Sequence, residues 1–273
     1  MPYAKSHDGH RLYYEEAGKG TPIVFVHEFS GDFRSWEAQV QYFSRRHRCI
    51  AFNARGYPPS DVPASVESYT VDNAIEDIAS VMRHLEIPRA HIVGCSMGSQ
   101  STLHFGFTHP EMAVSLTAIG AGSGSVADPE QQRANSEVNA KRYEQGLEAA
   151  LDRVRVAPNR VQFARKNPRG WDDFCRRFME HSAQGCANTQ RGIQAKRPGL
   201  TTLGDKFRAL KVPLLVIAGD EDPAAFEGAL FIKQSCPVSR ITVLPATGHL
   251  ANCEEPELVN RLMEQFFADI GQA

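Results

Sequence analysis

Apolar and polar positions along the 273 residues fall into two alternating regimes. Predominantly apolar runs, at residues 21–26, 49–52, 90–93, 114–119, 212–218 and 240–244, predict strands, the first two of them in the core. Between them, apolar residues recur at helical spacing. Residues 71–85 put Val71, Ala74, Ile75, Ile78, Met82 and Leu85 on one stripe. Ile87-Pro88 stops that helix, because the proline ring pushes the preceding residue out of the α region. Helices are also predicted over 32–46 (Phe33, Trp36, Val40, Phe43), over 99–109, and over 257–270 with Leu258, Leu262, Phe266 and Phe267 inward. A weaker alternation over 11–16, closed by Gly18-Lys19-Gly20, predicts an early strand and turn.

Strands that alternate with helices imply an α/β fold: a mostly parallel central sheet covered by helices on both faces. The alternation lapses over 125–205, which holds helix-like stretches and no convincing core strand. The expected organisation is a core domain of residues 1–124 and 206–273, interrupted by a helical cap at 125–205. No repeat or low-complexity tract is present.

Charge separates the two parts. Residues 125–205 carry 14 Lys/Arg and 10 Asp/Glu, a net of +4, while the remainder carries 16 and 22, a net of −6. The insertion is then either an ordinary solvated helical surface or a basic cap that favours an anionic substrate. Its aromatics Phe163, Trp171, Phe174 and Phe178 serve either a pocket wall or internal packing.

The overall net charge of −2 gives no pull toward nucleic acid, and no apolar run approaches the ~20 residues needed to span a bilayer. The first residues show no basic-then-apolar secretion pattern. The six cysteines are dispersed with no C-x-x-C pair, so neither a disulfide framework nor a zinc site is expected, and a cytoplasmic location fits. With no Walker motif and no G-x-G-x-x-G after a strand, no nucleotide, other cofactor or metal is expected. The partner is a small-molecule substrate. Oligomeric state is left open, a homodimer included.

The chemistry-bearing stretch is Gly94-Cys95-Ser96-Met97-Gly98, between a strand and a helix. It fits the G-x-S-x-G nucleophile elbow, in which small residues two before and two after the serine let strand and helix approach. A serine hydroxyl needs a base, and the base needs a carboxylate to hold its tautomer. Asp222, in Gly219-Asp220-Glu221-Asp222-Pro223, follows a core strand at the end where α/β active sites gather, with Asp220 the second candidate for the acid. His249 follows the last strand after Gly248. Cys95 is expected to face away from Ser96 into the sheet packing.

With these residues in place the chain resembles the α/β-hydrolase fold family, of the cap-bearing esterase, lactonase and C–C hydrolase kind. His27-Glu28-Phe29-Ser30-Gly31 with Trp36 is similar to the family's oxyanion loop. Asn53-Ala54-Arg55-Gly56-Tyr57 with Ser60 is similar to its Arg-Gly turn, and Gly248-His249 with Glu254 and Pro256 to its histidine loop. The resemblance implies Ser96 as nucleophile, His249 as general base and then acid, and Asp222 as its orienter. The backbone N–H groups of Phe29 and Met97 become the oxyanion donors, worth several kcal/mol together. It also implies a serine hydrolase that cleaves a small carboxylic ester or lactone through an acyl-enzyme. C–C hydrolysis of a ring-cleavage dienoate and a non-catalytic ligand-binding role on the same fold are the alternatives. A serine at the elbow speaks against epoxide hydrolases and haloalkane dehalogenases, which use Asp there.

Two departures stand out. Glu28 occupies a position usually held by a small residue, where it repels developing charge, acts as a local acid if its pKa is raised, or points to solvent. Asn53 replaces Asp in the Arg-Gly turn, and Arg55 is read as a structural residue of that loop.

Overall fold

A computed structural model describes residues 2–122 and 128–271. The boundary expected at 124/125 lies outside the described residues. Eight strands form one sheet: β1 (Tyr3–Lys5), β2 (Arg11–Ala17), β3 (Thr21–Val26), β4 (His47–Phe52), β5 (Ala90–Cys95), β6 (Ala113–Ile119), β7 (Leu214–Gly219) and β8 (Ser239–Leu244). Their order is β1-β2-β4-β3-β5-β6-β7-β8. The first two strands run antiparallel to their neighbours, and every later pairing is parallel.

The helices, in chain order, are α1 (Glu37–Phe43), α2 (Val71–His84), α3 (Met97–Thr108), α4 (Pro129–Glu144), α5 (Leu147–Arg155), α6 (Val161–Lys166), α7 (Pro168–Phe178), α8 (Ala183–Thr189), α9 (Gly204–Ala209), α10 (Pro223–Ser235), α11 (Ala251–Glu254) and α12 (Pro256–Asp269). Alternate strand residues feed two separate cores. Val24, Ile50, Ile92, Leu116 and Val216 pack with Ile75, Ile78 and Met82 of α2 and with Leu103 and Phe105 of α3. Ile23, Phe25, Val93, Ile119 and Ile217 pack on the other face with Trp36, with Phe43 of α1, and with Val259, Met263 and Phe267 of α12. Burial on both faces is why these strands read as predominantly apolar runs.

Local chemistry sets the ends of α2. The Thr70 hydroxyl accepts the Asn73 N–H at 3.0 Å, and Arg83 and His84 sit in the last turn, where the helix dipole favours positive charge.

Several expectations need correction. Leu258 does not face inward: it is 40% exposed, and the buried stripe of α12 is Val259, Met263, Phe266 and Phe267. Strand β1 is too short, and helix α10 too rich in alanine and glycine on its buried side, to give a periodic signal. The elbow helix begins at Met97 rather than 99. Between β6 and β7 the described residues form α4 to α9 with no strand. Phe163, Trp171 and Phe174 pack on one another, with the indole stacked on Phe174 at 5.4 Å, and Phe178 is fully buried; Phe163 and Phe174 also edge a hollow of about 240 Å³.

Candidate active site

Strand β5 delivers the chain into a tight turn at Ser96, whose backbone sits at φ +53°, ψ −112°. Such a conformation costs an L-residue about 1–3 kcal/mol and persists only where its surroundings impose it. Here they do. A Cβ on Gly94 would lie 2.1 Å from the Gly98 carbonyl oxygen, and one on Gly98 would lie 2.1 Å from that of Val26. The Ser96 N–H donates to the Ile119 carbonyl at 2.8 Å, tying the elbow to β6. Within residues 91–100, Ser96 alone is not fully buried. Met97 opens α3, so its N–H has no intrahelical acceptor and points out of the positive end of the helix dipole.

The loops after β7 and β8 bring the other candidates to this point. His249 Nε2 lies 2.7 Å from Ser96 Oγ, and His249 Nδ1 bonds to Asp222 Oδ2. Both residues are buried. Asp220 does not reach the histidine. It is exposed, and it accepts the Thr247 N–H at 3.1 Å. Burial works against the Asp222 carboxylate, but the hydrogen bond and attraction from His249 outweigh it and hold the carboxyl below its usual range. An ionised Asp222 keeps the proton on Nδ1 and leaves the Nε2 lone pair for the Ser96 hydroxyl.

The segment between β6 and β7 takes part in this geometry. The carbonyl of Asn159 accepts the His249 N–H at 2.9 Å, and its side-chain amide lies 3.5 Å from Asp222 Oδ1. Arg160 Nη2 donates to Ser30 Oγ at 3.2 Å. Neither residue was identifiable beforehand; the only sequence signal was the positive charge of the insertion. On the opposite side, the Glu254 carboxylate accepts the Gly248 N–H at 2.8 Å, which orders the histidine loop.

The loop after β3 is held by buried polar groups. His27 donates from Nδ1 to the Glu28 carbonyl at 2.7 Å and accepts the Ala54 N–H on Nε2 at 3.1 Å, an arrangement that requires the neutral ring. Burial pushes the His27 pKa down accordingly. The Tyr57 hydroxyl donates to the Phe29 carbonyl at 2.8 Å and fixes that peptide beside Ser96. Asn53 has a use that Asp could not serve: its Oδ1 accepts the Phe33 N–H at 2.7 Å, while its Nδ2 donates to the Pro58 carbonyl at 2.8 Å. Arg55 is structural, fully buried against Asp77 and Asp8.

Glu28 does not point to solvent. It is fully buried, Oε1 accepts from Ser35 Oγ at 2.9 Å, and Oε2 has no partner among the described residues. Burial pushes its carboxyl up. It is not among the residues that line the cavity at Ser96. Cys95 is also buried, its thiol pushed well up by desolvation, and is not a nucleophile here.

A cavity of about 420 Å³ opens onto Ser96 and His249. Phe29 and Ser30 form its floor, and Gln132, Arg142, Tyr143, Arg153 and Arg160 contribute from the insertion. A larger hollow of about 580 Å³, beside α1 and α12, touches none of these groups. Among the described residues, His7, Asp8 and Asp77 are the one grouping with metal-ligand spacing, and the Arg55 guanidinium already occupies their carboxylates.

The family model for the alpha/beta hydrolase fold matches residues 21–256. The chain belongs to the alpha/beta hydrolase fold family. This alpha/beta hydrolase is 26% identical to 3-oxoadipate enol-lactonase 1 of Acinetobacter baylyi, over 91% of its own length and 89% of the relative's. It is 27% identical to a putative non-heme bromoperoxidase of Mycobacterium tuberculosis, over 95% and 98% of the two chains. Its fold is that of a thermophilic esterase from Thermogutta terrifontis, with a TM-score of 0.88, 24% identity and 98% of both chains covered. An enol-lactonase from Burkholderia xenovorans aligns with a TM-score of 0.83 and 23% identity, over 98% of this chain and all of the other. No described helix is long and apolar enough to cross a membrane.

Proposed function

We propose that this protein is a serine hydrolase that cleaves a small carboxylic ester or lactone through an acyl-enzyme, with residues 125–205 acting as a cap over the site. The observation that carries this reading is the unbroken chain Ser96 Oγ, His249 Nε2, His249 Nδ1, Asp222 Oδ2, standing open to the 420 Å³ cavity. His249 takes the Ser96 proton as Oγ bonds to the substrate carbonyl carbon. The carbonyl oxygen gains negative charge within reach of the Met97 and Phe29 N–H groups. Collapse of the tetrahedral adduct expels the alkoxide, which takes the proton from His249. Water, deprotonated by the same ring, then releases the acid and restores Ser96. The relatives named enol-lactonase and esterase support this choice of bond. The six free thiols, five of them buried, are in keeping with a reducing cytoplasm.

The test is hydrolysis of short esters, lactones and a carboxylated dienoate by the wild type and by Ser96→Ala. Ester or lactone turnover that disappears in the variant is the expected result, as is labelling of the wild type alone by a fluorophosphonate. Turnover that survives Ser96→Ala refutes the mechanism, and turnover of the dienoate alone transfers the assignment to C–C hydrolysis.

A further inference from the structure

Four arginines of the insertion line the cavity that holds Ser96, Arg197 beyond α8 and three others: Arg142 near the end of α4, Arg153 on α5, and Arg160 in the turn that follows. Among the described residues no Asp or Glu lines that cavity. None of the three has a carboxylate within ion-pair distance among the described residues, whereas Arg155, Arg176 and Arg191 elsewhere on the insertion are paired with Glu148, Asp173 and Glu137. Two of the cavity arginines are held in place by neutral groups. Arg142 Nη1 donates to Asn139 Oδ1 at 2.8 Å, and Arg160 donates to Ser30 while its Nη1 is buried with no acceptor. Positive groups gathered around one hollow repel one another, and the low-dielectric walls sharpen their field, so the arrangement favours an anion inside. The rest of the wall is rich in amides, among them Gln132, Asn135 and Gln190, and is poorly suited to a long alkyl chain.

We propose that the substrate is a short ester or lactone bearing a free carboxylate, which these three arginines receive while its ester carbonyl meets Ser96. The proposal rests on the reading of Ser96 as nucleophile and adds the substrate class to it. Guanidinium is suited to the task, since its planar fork meets a carboxylate with two parallel N–H groups. The arginines act as specificity-determining residues, and Arg160, bonded to the loop that carries Phe29, brings the anion nearest to the reacting carbonyl.

The experiment compares monoethyl glutarate with ethyl hexanoate, chains of similar length that differ in the terminal charge, by pH-stat at low ionic strength. The expected kcat/KM ratio is about ten- to a hundredfold in favour of the glutarate half-ester. Added salt lowers that ratio, the double variant Arg142→Gln/Arg153→Gln lowers it by about tenfold, and the corresponding double Lys variant recovers part of it. A ratio near one in the wild type, or a ratio that the Gln pair leaves unchanged, overturns the proposal. If neither ester is cleaved, the nucleophile reading is what has failed, and the anion seat is judged by binding instead. Glutarate should then raise the melting temperature more than glutaramide does, and the Gln pair should abolish the difference. Equal shifts from the two compounds overturn the carboxylate site.

Discussion

His181 follows α7, with its ring 5.3 Å from those of both Tyr57 and Phe178. Both ring nitrogens are buried without a hydrogen-bond partner among the described residues. Burial therefore pulls its pKa down to about 4, against a weaker opposing pull from Asp32. An unfolded chain titrates histidine near ~6.5. The folded value is the lower one, so His181 adds no penalty above pH ~6.5, and stability is lost as the pH falls toward 4. With these two values, linkage gives a loss of about 2 kcal/mol at pH 5, rising to about 3.4 kcal/mol below pH 4. The perturbation is His181→Phe, which keeps a flat ring between the two aromatics and removes the titration. Urea unfolding of both proteins at pH 7.5, 6.5, 5.5 and 5.0 gives the assay. The wild type should lose about 2 kcal/mol more than the variant between the two extremes. Carboxyl groups that titrate in the same range and do not feel the His181 charge contribute equally to both proteins and cancel in the difference. Parallel stability curves would refute the reasoning, because they would mean that His181 is solvated, or paired when protonated, in the folded state.

Two further outcomes bear on the site. Asp222→Asn should preserve the fold and lower kcat by about a thousand- to ten-thousandfold, because an amide no longer enforces the Nδ1–H tautomer or stabilises the imidazolium; steady-state kinetics with kcat near that of the wild type would show that Asp220 or another acid serves His249. Glu28→Gln should fold normally, since an amide oxygen still accepts from Ser35 and burial favours a neutral group there. A buried carboxyl with a raised pKa costs stability as the pH rises from ~4.3 through its folded value, so the variant should gain on the wild type over that interval in pH-dependent unfolding. A constant deficit in the variant would indicate an ionised, paired Glu28.

The central strands were legible because burial leaves a local mark, a predominantly apolar run, and the elbow because its close approach admits only glycine at two fixed positions. Helix α10 was hidden because its buried contacts are made by Ala225, Gly228 and Ala229, which carry little hydrophobic contrast. On α12, Phe266 and Phe267 are buried as expected and Leu262 packs at the edge of the core, but Val259, one position or about 100° around the axis from Leu258, takes the buried place and Leu258 is in solvent.

The sequence by itself determined the α/β layout, the three loops that carry Ser96, Asp222 and His249, and a positively charged insertion. Only tertiary structure decided which acid of the β7 loop reaches the histidine, that Glu28 turns inward, that Asn159 and Arg160 join the site, and which arginines face Ser96. Periodicity and turn chemistry act over a few residues and specify backbone and burial. Contacts such as that between Ser96 and His249, 153 residues apart, depend on where whole elements pack, and one turn of a loop moves a side chain from solvent to the reacting centre.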